Sequence, residues 1–597
     1  MVSWVDICAH GYCYLAVVSS ADSIGVNRGV TEGHAGQAAA NAPPLAAARS
    51  PKSALLRPAS SAGAVLGLIF MAAAFVPSLL PRPWYVQGVL SGMAIAVGYG
   101  VGAAGAGIWR RIRQRAPRAE TDDISRHTAY LVIAMPVGIV IWMLVVHLRW
   151  QSDIRSLMGM GPGAVPFLIG TALTALAGGS LFVLAGRGVG LLFRRFRRLL
   201  ERVMPRSLAV FAISVAVLVL TVLFFDLVVA SRLIPALEAA HRSSDRSFDL
   251  GVEPPTSEMR SGGPGSVIEW GRMGRQGRLF ATEPPSPAEL EAFSGEPAID
   301  PIRIYVGLEV ADTAEARAQL ALAEMERTGA FQRDVIVLVA PTGSGWIDPY
   351  AVEPLEYMYN GNTAATAVQY SYLASWMVMI RNQDQATDAS RALYRAIRQR
   401  LDEEPESSRP ELLLYGESLG SFGWERTFDG LDEVEESADG VLWVGPPRVN
   451  PLWRSLMNQR DPDSPIWRPV YEGGETVRFG PDSKSLLAPD APWARPRIVY
   501  LQHASDPITW LSFNILWNKP EWLDLPRGPD VSSHMPYIPI VTYLQMTVDL
   551  VLGTNAPVGH GHKFGSGQAE AWSLILPPPG WDMEDTQRLI TVVDSSK

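Results

Sequence analysis

The sequence predicts an α/β domain built on a mostly parallel sheet, preceded by an all-helical region that crosses a membrane several times. Three observations carry this reading. From residue 301 onward, short apolar runs alternate with helical stretches. Before residue 231, long uncharged apolar stretches recur, each near the ~20 residues a bilayer requires. One short apolar run, Leu412 to Tyr415, leads straight into Gly416-Glu417-Ser418-Leu419-Gly420.

Composition agrees. A chain of 597 residues is too long for one ordinary domain. Hydrophobic residues make up 48% and charged residues 19%, an apolar balance for a soluble enzyme. The net charge is −9, with basic clusters in the first third beside apolar spans and acidic residues dominating the rest. That placement is no footprint for nucleic acid. The two cysteines, Cys8 and Cys13, both lie near the start, so later regions hold neither a disulfide nor a cysteine metal site.

Five stretches qualify as spans, at about 62–80, 86–109, 128–148, 164–186 and 207–230. Arg110, Arg111, Arg113, Arg115 and Arg118 follow the second, and Arg194, Arg195, Arg197, Arg198 and Arg202 follow the fourth. Arginine-rich loops tend to stay cytoplasmic. The expected topology therefore has the N-terminus inside and everything after about 231 outside. Gly100-Val-Gly102-Ala-Ala-Gly105 matches a dinucleotide fingerprint but lies within an apolar span without a βαβ context. Gly88/Gly92 and Gly98/Gly102 read better as close helix packing. Residues 1–60 read as a flexible leader, 61–231 as the transmembrane region and 232–300 as a juxtamembrane linker.

The α/β domain occupies 301–580, with a tail at 581–597. Expected strands are 302–307, 334–340, 412–415, 441–444 and 497–502; expected helices lie near 312–329, 366–381, 386–403 and 567–576. The continuous apolar run of 334–340 suits a buried parallel strand. The Pro-, Asp- and Trp-rich stretch at 446–496 reads as a lid insertion.

Gly416 to Gly420 is G-x-S-x-G after a strand. In that pattern a sharp strand-to-helix turn lifts a serine out of the sheet, and its tightness demands small flanking residues. Ser418 is thus a candidate nucleophile, which needs an imidazole to take its proton and a carboxylate to orient that imidazole. After such a turn the acid comes first and the histidine second. Asp506 sits just past the 497–502 strand. His560 and His562, in Gly559-His-Gly-His562, precede the last helix; His560 is favoured, with His562 close behind. Oxyanion donors are expected from the N–H of Leu419 and from Thr342 or Gly343 in the loop after 334–340. Structural readings compete. Asp506 can cap the helix that follows it, Glu417 can be a solvated turn residue, His534 can be a plain loop residue, and His503 can line the pocket. Gly-His-Gly-His lacks a third metal ligand at useful spacing.

Pro77 to Gly92 resembles the N-terminal membrane region of a group of bacterial membrane-anchored α/β-hydrolases, and Thr342 to Pro349, Gly416 to Ser421 and Gly559 to His562 resemble its catalytic domain. The resemblance covers roughly 60–580 and implies an α/β-hydrolase fold with Ser418 as nucleophile; it implies no particular substrate. The expected activity is a serine hydrolase acting on an ester, thioester or lipid-like acyl group, with no cofactor or metal. Its partners would be a small acyl or lipid substrate and the bilayer, with no nucleic acid and an open oligomeric state. The rival readings are an acyltransferase using an envelope lipid or sugar acceptor, and a degenerate binding or transport-associated module.

Overall fold

The computed structural model describes residues 60–113, 126–161 and 167–595. The leader (save Ser60) and Arg115 and Arg118 lie outside the described residues.

Seven strands form one sheet: β1 (Ile302–Val306), β2 (Val335–Ala340), β3 (Thr363–Val368), β4 (Glu411–Glu417), β5 (Gly440–Val444), β6 (Val477–Gly480) and β7 (Arg497–Leu501). Their order is β1-β3-β2-β4-β5-β7-β6, and every pairing is parallel. Parallel strands need crossover connections that bury both faces, and the strands are buried almost throughout. In register, Ala340 lies beside Gly416, Glu417 beside Val444, and Val444 beside Leu501. The strands therefore end together, and their C-terminal edge is where the loops of an open α/β sheet converge.

Two sheet elements depart from expectation. Residues 366–381 do not form one helix: Thr363–Val368 is a strand, and only Ser375–Arg381 is helical. Thr-Ala-Ala-Thr-Ala-Val has little local strand preference, but between β1 and β2 the ladder on both sides decides. Within 446–496, Val477–Gly480 joins the sheet edge, so this stretch is not wholly a lid. The 232–300 region is likewise more than a linker. It contains helices Ile234–Arg246, Gly274–Thr282 and Pro287–Ser294, and its Arg260 bridges to Arg303 of β1.

Among the described residues, the N-terminal region holds four helices long and apolar enough to cross a membrane, at Trp84–Ile112, Ala134–Leu157, Leu168–Leu200 and Arg206–Arg246. The expected span at 62–80 is a shorter element. Helix Ser61–Ala73 has 13 residues, about 20 Å at 1.5 Å per residue, against a hydrocarbon core of ~30 Å. Pro77, Pro81 and Pro83 keep the following segment from continuing the helix. The small-residue stripe packs as its composition suggests: a Cβ at Gly92 would meet the backbone N of Gly179 at 2.8 Å, and one at Gly102 the carbonyl of Ala62 at 2.4 Å.

Segment 74–82 is buried against the α/β domain. Arg82 and Asp549 form an ion pair at 2.8 Å with both side chains fully buried. Asp549 also accepts from the Leu79 N–H at 3.2 Å, and Gln545 donates to the Val76 carbonyl at 2.9 Å. Leu79, Leu80, Ile154 and Met158 belong to the same continuous apolar core as the sheet. Removing one partner of a buried ion pair strands the other, a loss of about 3–5 kcal/mol. Asp549→Ala should lower stability in detergent by about that amount in denaturant titration, and Arg82→Met/Asp549→Leu should recover most of it. An unchanged Asp549→Ala midpoint would show that this pair does not hold the two regions together.

Candidate functional site

At the end of β4 the backbone turns abruptly. Ser418 has φ 52° and ψ −117°, and helix Leu419–Glu425 begins at the next residue. A non-glycine residue held there costs about 1–3 kcal/mol, which the surroundings must offset. They do so by crowding. A Cβ at Gly420 would lie 2.2 Å from the Ala340 carbonyl oxygen, and one at Gly416 would lie 2.6 Å from the Gly420 carbonyl carbon. The Ser418 N–H donates to the Val444 carbonyl at 2.8 Å, and the Ser421 hydroxyl donates to the Ser418 carbonyl at 2.6 Å. The serine is thereby fixed above the ends of β2, β4 and β5.

The acid and the histidine reach the same edge. Asp506 follows β7 and is fully buried. Its Oδ1 accepts from the Ile508 N–H at 2.9 Å, capping a short helix, while its Oδ2 faces His562 Nδ1 at 2.7 Å. The capping role and the histidine-orienting role therefore coexist on one carboxylate. The His562 N–H donates to the Gly553 carbonyl at 3.0 Å. Its ring lies against Gly445 at the end of β5, where a Cβ would meet Cε1 at 2.5 Å. Gly445 has φ 54° and follows Val444, the residue that holds the Ser418 N–H. Only a residue without a side chain leaves room for the imidazole there, a role invisible in the local string Val-Gly-Pro-Pro.

Of the two loop histidines, His562 pairs with Asp506. His560, which the sequence favours, instead turns toward Asp530, with Nδ1 to Oδ2 at 3.5 Å. The intervening Gly561, at φ 56°, lets the loop face its histidines differently. His503 is buried, stacks on Phe564 at 4.4 Å and bonds the Gly561 carbonyl at 2.9 Å, so it braces this loop. His534 lies on the surface facing Trp150 of the N-terminal apolar helices, ring centroids 6.4 Å apart.

Leu419 occupies the first position of its helix, where an N–H has no intrahelical acceptor. The other two proposed donors are already engaged: the Thr342 N–H bonds the Trp346 carbonyl at 2.9 Å, and the Gly343 N–H bonds the Ser375 hydroxyl at 3.0 Å. Of these, Gly343 faces the more replaceable partner, because a hydroxyl can rotate away whereas the Trp346 carbonyl is part of the turn itself.

Glu417 is not a solvated turn residue. It is buried, and the Tyr415 hydroxyl stands between it at 3.3 Å and Gln568 at 2.8 Å. Burial, with the nearby Asp348 carboxylate, pushes its pKa up to about 8, against an opposing pull from His562. His562 itself is raised: burial lowers it, but the Asp506 carboxylate and its hydrogen bond, helped by Glu417, outweigh burial. From pH 4.5 to about 8 the folded protein keeps a proton on Glu417 that the unfolded chain has released. This term therefore lowers stability as pH rises through that window, by at most about 1.4 kcal/mol per unit. Glu417→Gln should remove it, so that the variant gains on the wild type between those limits and holds a constant difference above them. A pH-independent difference in unfolding midpoints would show that Glu417 is ionised throughout.

The profile of a family described as the alpha/beta-hydrolase family matches residues 302–589, which carry the sheet and every site residue above. The profile of the alpha/beta-hydrolase family N-terminus matches residues 75–285, which carry the long apolar helices. No curated protein and no solved structure matches the chain. The all-parallel sheet, the turn at Ser418 and both matches agree: the chain belongs to the alpha/beta-hydrolase family.

Proposed function

We propose that the protein is a membrane-anchored serine hydrolase that cleaves an ester, thioester or lipid-like acyl bond through Ser418, His562 and Asp506. The observation that carries this reading is the 2.7 Å contact of His562 Nδ1 with buried Asp506, at the strand edge where Ser418 is raised. Asp506 holds the imidazole with Nε2 free to act as base. Ser418 Oγ attacks the carbonyl carbon as Nε2 takes its proton. The carbonyl oxygen becomes an oxyanion, which the Leu419 N–H meets. Collapse expels the alcohol or thiol, which leaves with the proton from the imidazolium. Water, deprotonated by His562, then releases the acid and restores the serine.

Membranes bearing the full chain should label with a fluorophosphonate, and Ser418→Ala should abolish the band. His562→Ala should reduce labelling about 10⁴-fold or more, and His560→Ala less than about tenfold. Equal losses from both histidines would remove the assignment of His562 as base. Because the base must be neutral and His562 is raised from its ordinary 6.5, the acid limb of the rate should lie above pH 6.5.

The four long helices then span the bilayer. The basic ends at Arg110 to Arg113 and Arg194 to Arg202 share one side. Arg82, Trp150 and Leu157, nearest the catalytic domain, lie toward the other ends. Arginine-rich ends favour the cytoplasm, so the catalytic domain is assigned outside it. Helix Ser61–Ala73 runs antiparallel along Trp84–Ile112, with Ala62 beside Gly102, so its first turn points toward the basic side. In a Cys8→Ser/Cys13→Ser background, Val449→Cys should react with an impermeant maleimide on intact cells and Arg195→Cys should not. The reverse pattern would invert the topology.

A further inference from the structure

Helix Val541–Leu552 of the α/β domain does not stop at the ends of the apolar helices but runs down beside one of them. Its first residue, Val541, is buried in an apolar cluster with Ala74 and with Leu90 and Ala94 of helix Trp84–Ile112; Ile538, Leu544 and Val548 pack against the same cluster. One turn on, Gln545 donates to the Val76 carbonyl, and a turn later Asp549 meets Leu79 and Arg82, just before Trp84. The partners climb in step with the helix, from Leu90 and Ala94 at its first turn to Arg82 at its last. Leu90 and Ala94 lie six and ten residues beyond Trp84, about 9 and 15 Å along the helix axis. A helix of 29 residues is about 44 Å long and overhangs a ~30 Å hydrocarbon core by roughly 7 Å at each end. Val541 therefore stands at a level where its neighbours on the apolar helix are already in hydrocarbon.

The surface around this helix is apolar where it is open. Phe513 stacks on Tyr543, ring centroids 5.7 Å apart, yet is 78% exposed; Trp517, four residues on, is 69% exposed. The Tyr537 hydroxyl donates to the Ile515 carbonyl at 3.1 Å, which ties the short helix Phe513–Leu516 to the chain leading into Val541. Pro539, two residues before Val541, is exposed as well. Asn514, Asn518 and Lys519 lie among the aromatics, as in a segment at the boundary between headgroups and acyl chains. Neighbouring exposed aromatics mark a surface that something apolar covers. The helix beside them says what: the acyl chains that surround Trp84–Ile112 at the same level. The loops of the candidate site carry this segment. It begins after the short helix that Asp506 caps and ends at Gly553, whose carbonyl holds the His562 N–H.

We propose that residues 511–552 seat the α/β domain in the bilayer, with the turn at Pro539 and Ile540 among acyl chains and Phe513 and Trp517 at their boundary with the headgroups. The partner is the lipid leaflet on the catalytic side, and the α/β domain itself makes the contact, in addition to the four spans. The inference rests on the reading that those helices span the bilayer, and not on the serine chemistry.

The test places a nitrobenzoxadiazole fluorophore on single cysteines in the Cys8→Ser/Cys13→Ser full chain, reconstituted in phosphatidylcholine with or without bromine on its acyl chains. Leu181→Cys reports the spans: it is exposed on helix Leu168–Leu200, two residues past Gly179, where a Cβ would meet Ile95. Ser407→Cys, exposed just before β4, reports the opposite end of the sheet. Bromine should quench the probe at Leu181→Cys, at Pro539→Cys to a similar extent and at Phe513→Cys less, and should leave Ser407→Cys unchanged. All four side chains are exposed, so none of the replacements removes a buried group. Quenching at Leu181→Cys with none at Pro539→Cys and Phe513→Cys would overturn the proposal while leaving the spans in place. No quenching at Leu181→Cys would remove the spans and the proposal with them. Equal quenching at Ser407→Cys and Pro539→Cys would overturn it too, since the whole domain would then lie against lipid.

Discussion

The site depends first on the turn at Ser418. A chain that passes from strand to helix within one residue cannot bury that residue's side chain in the sheet, and it cannot carry side chains at Gly416, where the backbone of the following helix already lies, or at Gly420, where the end of β2 does. The same constraint propagates sideways. The Ser418 N–H is held by Val444, the next residue must be Gly445, and the space so left open is occupied by the His562 ring. One backbone conformation thus prescribes two adjacent glycines, one distant glycine and the resting place of an imidazole. Asp506 needs no such concession, because its helix-capping geometry already points one oxygen at His562.

The second constraint is that the His562 loop is not anchored within the sheet. Its N–H is held by Gly553, immediately beyond helix Val541–Leu552. That helix carries Gln545 and Asp549, which bond Val76, Leu79 and Arg82. A mechanical line therefore runs from the membrane-proximal segment through one helix to the histidine. Charge enforces it: a guanidinium and a carboxylate with no exposure to water are stable only against each other.

Legibility in the sequence followed the range of the interactions. β2 and β4 were legible because their continuous apolar runs state their burial outright, and the G-x-S-x-G string states its own turn. β3 was not, because Thr363–Val368 is a strand only by virtue of neighbours on both sides. Helix Ser61–Ala73 looked longer because hydropathy continues past Ala73, whereas the helix ends before a run of prolines. Asp506 was visible from its distance past β7. The preference between His560 and His562 was not, since two alternating loop residues differ only in the facing set by Gly561, and the acids that receive them lie far away in sequence. Gly445 and Asp530 carry no local signature; their surroundings come from segments that only the fold brings near.

These two constraints bear on why a hydrolase-type domain would be joined to a membrane region at all. If the helices were only a tether, the catalytic domain would close its own core and the junction would be polar and loosely packed, as interfaces between separable domains are. Instead Leu79, Leu80, Ile154 and Met158 are buried in the same core as the sheet, and Leu80 lies 3.2 Å from where a Cβ at Gly561 would be. Leu157 continues that contact to the wall of a cavity beside His560 and Asp530. The junction is thus packed as an interior and reaches the loop that carries both histidines. A domain built this way shares its core with the apolar-helix region, which meets it on the face where the loops of the candidate site converge.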